Sequence, residues 1–189
     1  MIAIVAMDIR GGIGKFGVLP WNIPSEMKFF TQITKKTLHP NLRNAVIMGR
    51  TTYESIGKPL RDRHNIVLSN TIHGDFPQDN LYFMKTPRVI PDTENTFVIG
   101  GKQVYDIFIQ QCDILYVTSI KYDYQCDTFF TIPPNFTLDQ SFTTHHTAID
   151  YSTGKTVHYS HLRYVRQKHE LLHMFQIHQP PPGFAPLSL

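Results

Sequence analysis

The sequence predicts an α/β fold on a mixed sheet, parallel in its body and antiparallel at its C-terminal edge. Three observations carry this. Continuously apolar runs of strand length recur, as in IAIVAM (2–7), AVIMG (45–49) and TFVIGG (96–101), which suits strands buried on both faces of a parallel sheet. Stretches with helical apolar spacing alternate with these runs. Finally, two long strand-like stretches, 138–149 and 155–167, flank the turn Tyr151–Gly154 (YSTG), the mark of a hairpin.

In chain order, strand 2–7 leads into RGGIGKFGVLPWNIP, a glycine- and proline-rich loop too long for a simple turn. Ser25 is the expected N-cap of a helix with Glu26 in its first turn and Met27, Phe30 and Ile33 on its apolar stripe, ending near Lys36. Strand 45–49 ends in glycine, and a short helix from Thr51 to about Ile56 is closed by Gly57 and Pro59. NIVLS (65–69) and LYFM (81–84) read as strands. Pro87 and Pro91 break any helix in 85–96. After strand 96–101, residues 102–111 place Val104, Ile107 and Phe108 on one helical face. ILYVTSI (114–120) is a strand, and DTFFTIPPNF is a strand and turn.

Composition narrows the class. The chain has 189 residues, 41% hydrophobic and 17% charged, the size of one domain, and these figures exclude disorder, collagen and coiled coil. No apolar run reaches the roughly 20 residues of a membrane span, and MIAIVAMDIR lacks a signal peptide's basic start and cleavage site. Two cysteines, Cys112 and Cys126, suit reduced thiols in a cytoplasmic-type compartment. A net charge of +3 is too slight to point to nucleic acid. Seven of the ten histidines follow residue 140 and four of the thirteen prolines fall in the last ten positions, so the end of the chain is built differently.

Two strand-to-helix junctions suit phosphate. At Gly49-Arg50-Thr51-Thr52 a glycine admits close approach, two hydroxyls can donate and Arg50 adds charge; the other is Gly100-Gly101, opening the helix with Gln103, Val104 and Tyr105. Neither is a Walker loop, and GGKQVY lacks the G-x-G-x-x-G spacing. A glycine after a strand is more often just a helix turn; two such junctions in one small domain suggest a ligand with several phosphates. Glu26 also has two readings. An acid at a helix start ordinarily faces water and complements the dipole. Its neighbours three and four positions on, however, are Phe29 and Phe30, and a carboxylate beside an apolar stripe can lie in a pocket, with a raised pKa, and bind a flat amidine-like cation through paired hydrogen bonds.

These residues resemble the dihydrofolate reductase family over 1–167, about nine-tenths of the chain. The matching motifs are Ile4-Val5-Ala6, Gly14 through Leu19-Pro20-Trp21-Asn22-Ile23-Pro24, Glu26-x-x-x-Phe30, VIMGRTTYESIGKPL (46–60), DRHNIVLSN (62–70), FVIGGKQVYD (97–106), LYVTSI (115–120) and CDTFF (126–130), in the family's order and spacing. The resemblance implies a three-layer fold with helices flanking the sheet. It also implies NADPH-dependent reduction of 7,8-dihydrofolate to tetrahydrofolate, with hydride transfer to C6 and a proton added at N5, serving thymidylate and one-carbon metabolism. Glu26 would hold the pterin's 2-amino group and N3, and Thr118 the same carboxylate and amino group. Trp21 and Leu19 would stand beside them in the catalytic set, with water as final proton donor to N5. Ile4, Val5 and Ala6 would line the substrate. Met27, Phe30, Ile56 and Leu60 would form apolar walls, and Arg63 would clamp the α-carboxylate, a bidentate task lysine does badly. Ala6, Ile13 and Gly14 would meet the nicotinamide, with Tyr105 near it. Gly49, Arg50, Thr51, Thr52, Leu68, Ser69, Asn70, Ile99, Gly100, Gly101, Lys102, Gln103 and Val104 would complete the cofactor site, with Gly100–Gly101 matching the family's cis peptide. An arginine at position 50 favours NADPH over NADH. Loop 9–24 would close over the nicotinamide. Antifolates such as methotrexate are expected ligands, the protein a monomer, and no metal is implied.

The chain departs from the family at 85–96, which usually holds a helix, at Leu19 (usually Met), at Met27 (usually Leu or Phe) and at Cys126, a glycine in bacterial relatives. Residues 168–189 form a separate tail. Its HELLH (169–173) matches the H-E-x-x-H pattern of zinc hydrolases, but His178 is at the wrong offset for a third ligand and only sixteen residues follow, so a surface helix is the better reading. The related reductase of riboflavin synthesis is disfavoured by Trp21-Asn22, Glu26 and Thr118. A non-catalytic chain is disfavoured because every expected chemical group is present. As half of a fusion with thymidylate synthase, the chain would carry 168–189 as a linker remnant; PPPGFAPLSL reads most simply as a stiff, polyproline-like end.

Overall fold

A computed structural model describes residues 1–76 and 79–167; the HELLH motif and the rest of the tail lie outside the described residues. Strands β1 (Ile2–Met7), β3 (Arg43–Gly49), β4 (Arg63–Leu68), β5 (Gly74–Phe76), β6 (Leu81–Met84), β7 (Thr93–Gly100), β8 (Ile114–Ile120), β10 (Phe136–Asp150) and β11 (Lys155–Arg166) form one sheet in the order β10-β11-β8-β1-β7-β3-β4-β6-β5. From β8 through β6 neighbours run parallel, while β11 against β8, β10 against β11 and β5 against β6 are antiparallel. The expected mixed sheet is therefore present, with a second antiparallel edge at β5. A three-residue strand carries too little alternation to be read from sequence.

Alternation along the strands divides the core in two. Ala3, Val5, Ala45, Ile47, Ile66, Val98, Leu115 and Val117 face one layer, where helix α3 (Lys102–Phe108) lays down Val104, Tyr105 and Phe108. Ile4, Val46, Met48, Val67 and Phe97 face the other, under helices α1 (Pro24–Lys35) and α2 (Arg50–Ile56), which contribute Phe29, Phe30, Ile33, Tyr53 and Ile56. This is the expected three-layer arrangement. Among the described residues no helix is long and apolar enough to cross a membrane.

Several local expectations need correction. Ser25 is not the N-cap of α1: Ile23 takes that place and Pro24 the first turn, where proline's fixed φ suits a helix start. The Ser25 hydroxyl instead accepts a hydrogen bond from Tyr159 Oη at 2.7 Å. Ile107 is 59% exposed, and the buried face of α3 runs through Tyr105, whose hydroxyl finds a partner in the Ile4 carbonyl at 2.7 Å. The loop 9–24 contains β2 (Gly12–Gly14), paired with β9 (Thr128–Phe129). Segment 85–92 forms no helix, as its prolines dictate, and β7 starts at Thr93, three residues before the expected strand. Gly57 closes α2 with a left-handed φ of 78°.

Cys126 packs directly against Gly12. A Cβ placed on Gly12 would lie 2.4 Å from Cys126 Cβ and 2.9 Å from Asp8 Oδ1. Gly12→Ala is expected to destabilise by about 2 kcal/mol through overpacking, lowering Tm by roughly 4–8 °C. Removing the opposing side chain with Cys126→Gly should recover much of that loss. Additive losses in the double variant would show that the two residues do not compete for this space.

Candidate active site

Glu26 lies on the sheet-facing side of α1 and is 5% exposed, which decides between its two sequence readings in favour of the pocket. Burial pushes its carboxyl up to about 7, against the opposing effect of the Thr118 hydroxyl, which donates to Oε1 at 3.2 Å. Thr118 stands in β8, register-paired with Ala6 of β1, and Ile4 pairs with Tyr116 one step back on the same face. Val5 turns into the opposite layer, so only its main chain can face this site.

From Glu26 the same face of α1 continues to Phe30 and Thr34, four and eight residues on, so Thr34 lies about 12 Å along the axis. Thr34 is fully buried; its hydroxyl donates to the Phe30 carbonyl at 2.8 Å and accepts from Arg63 Nη1 at 2.7 Å. Arg63 Nε donates to the Arg61 carbonyl at 3.0 Å, so the guanidinium is held at two points, and among the described residues its other N–H donors are uncommitted. Half-buried Phe30 lies between the two polar ends on α1, and half-buried Ile56 and Leu60 pack against the same core layer as Phe30. Met27, at 48% exposure, belongs to the open side of α1 rather than to its core stripe. The result is a carboxylate, then an apolar stretch, then a fixed guanidinium.

The two glycine junctions are brought side by side. Met48 pairs with Gly100 across β3 and β7, so α2 and α3 start from adjacent strand ends. A Cβ on Gly101 would reach Thr52 Oγ1 at 3.4 Å, and one on Gly49 would reach the buried Val104 side chain at 3.3 Å. The N–H groups of Val104 and Tyr105 already donate to the Gly101 carbonyl, so Val104 serves the core, while Lys102 and Gln103 at the helix start have no acceptor within the helix. The Gly100–Gly101 bond is cis, as the resemblance implies. Arg50 is exposed, donating to Thr71 Oγ1 at 3.2 Å and pairing with Glu54. Ser69 is buried with its Oγ accepting the N–H groups of Thr71 and Ile72; Asn70 beside it is exposed, and Leu68 and Ile99 are half-buried.

The segment carrying Leu19 and Trp21 is tethered at both ends by carboxylates. Asp8 accepts from Gly12 N at 2.7 Å and Tyr124 N at 3.2 Å, while Asp150 accepts from Asn22 N at 2.8 Å and Tyr124 Oη at 3.0 Å. Burial opposes ionisation of Asp150, but its donors, Asn22 N first, prevail and hold it down at about 2. Between the tethers Ile13 and Gly14 are half-buried and Leu19 is 45% exposed; Trp21 is buried, and its indole N–H has no partner among the described residues. Asp8, Thr34, Asp150 and His161, the last bonded to Thr118, shape the site without having been picked out from sequence. Each is polar and isolated in its local pattern, and no spacing rule flags such a residue.

A sequence model of the family "Dihydrofolate reductase" matches residues 1–166. A dihydrofolate reductase of Drosophila melanogaster is 42% identical over 146 residues, 70% of this chain and 80% of that protein. One from Candida albicans is 35% identical over 70% of this chain and 76% of its own length. A bifunctional dihydrofolate reductase-thymidylate synthase of Glycine max is 32% identical over 86% of this chain, which spans a third of that relative's length. With the mixed sheet between two helical layers agreeing with this match, the chain belongs to the dihydrofolate reductase family, enzymes that reduce dihydrofolate to tetrahydrofolate with a nicotinamide cofactor.

Proposed function

We propose that residues 1–167 form an NADPH-dependent dihydrofolate reductase domain in which Glu26 grips the pterin and Arg63 the glutamyl carboxylate. The observation that carries this reading is Glu26 itself: a buried carboxylate with a hydroxyl donor, on the same helix face that reaches Arg63. An ionised Oε pair accepts two parallel N–H bonds from an amino-pyrimidinone edge, and Thr118 restricts how that pair can turn. A carboxyl titrating near 7 holds negative charge beside the ring when ionised, which favours proton uptake at N5 from water rather than by direct transfer.

The cofactor reading rests on the donor set at the paired junctions. Two adjacent helix starts, the glycines Gly49, Gly100 and Gly101 that carry no side chain over them, two threonine hydroxyls and Arg50 suit a pyrophosphate and an added phosphate. NADPH, when bound, supplies the hydride. Ala6, Ile13, Gly14 and Tyr105 would border the nicotinamide, and the tethered segment through Leu19 and Trp21 would exclude bulk water from it. Because Arg50 must leave Glu54 to meet a phosphate, Arg50→Ala is expected to raise KM for NADPH about 10–100-fold and leave KM for NADH nearly unchanged. Equal losses for both donors would remove Arg50 from phosphate recognition.

The direct test is loss of NADPH absorbance on adding dihydrofolate, abolished by methotrexate. No turnover from folded protein would sink the proposal.

A further inference from the structure

We propose that His161 is a positioning residue of this site: its Nδ1–H donates to Thr118 Oγ1, which donates in turn to Glu26 Oε1, so the imidazole fixes the hydroxyl and sets the pH at which Glu26 ionises. His161 lies in β11 directly across from Thr118 of β8, with Nδ1 3.1 Å from Oγ1. It is 5% exposed, and its ring stacks on Phe29 of α1 at 3.6 Å between centroids and 15° between planes. The stack holds the ring in one orientation. A phenyl ring would fill that slot equally well, so the stack alone does not call for nitrogen.

The direction of the chain follows from valence. An ionised carboxylate only accepts, so the single Thr118 proton goes to Glu26. The Thr118 oxygen then needs a donor, and Nδ1 is the nitrogen in reach. The imidazole is therefore the neutral Nδ1–H tautomer whenever Glu26 is charged. Burial first, and then the charge of His146, hold its pKa down to about 4, so it stays neutral through the working range. The groups facing it are Glu26 through Thr118, His146 of β10 at 4.8 Å between ring centroids, and on its own strand Tyr159 at 5.3 Å and Arg163, which is paired with Asp139. Of these only Glu26 is bonded to the same hydroxyl.

Accepting a bond at Oγ1 polarises the Thr118 O–H and strengthens its bond to the carboxylate, which favours the ionised form. Without Nδ1–H the hydroxyl oxygen is unsatisfied and free to turn. This proposal rests on Glu26 being the pterin-binding carboxylate for its catalytic consequence, but not for the titration itself.

Three variants decide it. His161→Phe keeps the stack and loses the donor; His161→Asn keeps a donor at the position of Nδ1; Glu26→Gln identifies the Glu26 resonance in protein carrying 13C-carboxyl glutamate. His161→Phe should raise the Glu26 titration midpoint by about half a pH unit, and His161→Asn should restore it. The kcat/KM for dihydrofolate should then fall about twofold at pH 7 in the Phe variant and not at all at pH 9. An unmoved or lowered midpoint in the Phe variant, or an Asn variant that behaves like Phe, overturns the proposal. Should the Phe variant not fold, 15N spectra of the unaltered protein above the Glu26 midpoint decide it: Nδ1 protonated supports the proposal, and Nε2 protonated overturns it. If the protein reduces no dihydrofolate, the functional reading fails, while the carboxyl titration still decides the role of His161.

Discussion

Glu26→Gln is expected to lower kcat for dihydrofolate reduction by about 10²–10⁴ at pH 7 and to leave NADPH affinity nearly intact. Glutamine keeps the volume and an oxygen for Thr118, but it removes the negative charge that holds the pterin edge and favours a proton at N5. The loss should shrink toward acid, where solvent supplies that proton more readily. Stability should move the opposite way. The Glu26 carboxyl titrates near 7 in the fold against a reference of 4.5, so between those pH values the folded protein keeps a proton that the unfolded chain has released. Stability from this group is thus fully present below about 4.5, declines as pH rises through 7, and above that carries a fixed cost of at most about 3 kcal/mol. Glutamine has no such proton, so the variant should melt higher than the parent at pH 8 and close to it at pH 4.5. Steady-state rates across pH 5–9, NADPH fluorescence titration and melts at the two pH values measure all three. Full activity in the variant would end the assignment of Glu26 to catalysis.

Much of this arrangement is legible in the sequence. The strand expected over 114–120 coincides with β8, Ile114–Ile120, because a run dominated by apolar and β-branched residues between Asp113 and Lys121 favours a buried strand. The glycine closing α2 and the glycines after β3 and β7 are local chemistry and were equally readable. What could not be read has a common cause. Asn22 reaches Asp150 over 128 positions, Tyr124 reaches Asp8 over 116, and His161 reaches Thr118 over 43. A polar residue whose partner is that far away leaves no periodic trace, so Asp8, Asp150 and His161 resemble surface residues in sequence. The same holds on α1: the apolar stripe through Met27, Phe30 and Ile33 was found, but Glu26 and Thr34, polar residues, are its most buried members, and Met27 faces out. β9 falls within the strand expected in DTFFTIPPNF, but its partner β2 is not legible, because three residues inside a glycine-rich loop carry no alternation.

The second large effect is expected at Arg63, and it separates the two ends of the ligand. Arg63→Lys should raise KM for dihydrofolate about 10–100-fold with kcat at saturation little changed, because its partner Thr34 lies about 12 Å along α1 from Glu26. Lysine preserves charge, so the loss measures the planar fork that meets both oxygens of a carboxylate at once. The fork is aimed by Thr34 and the Arg61 carbonyl, and Thr34→Val should therefore reproduce part of the same KM effect. A truncated dihydropteridine with no glutamyl carboxylate supplies the control. Its kinetics should be indifferent to Arg63→Lys and should still collapse in Glu26→Gln. If the truncated substrate suffers as much as dihydrofolate, Arg63 supports the fold of the site rather than binding the carboxylate, and the polar–apolar–polar stripe along α1 would not be a ruler for the substrate. If only dihydrofolate suffers, one helix face has been shown to measure the length of the ligand.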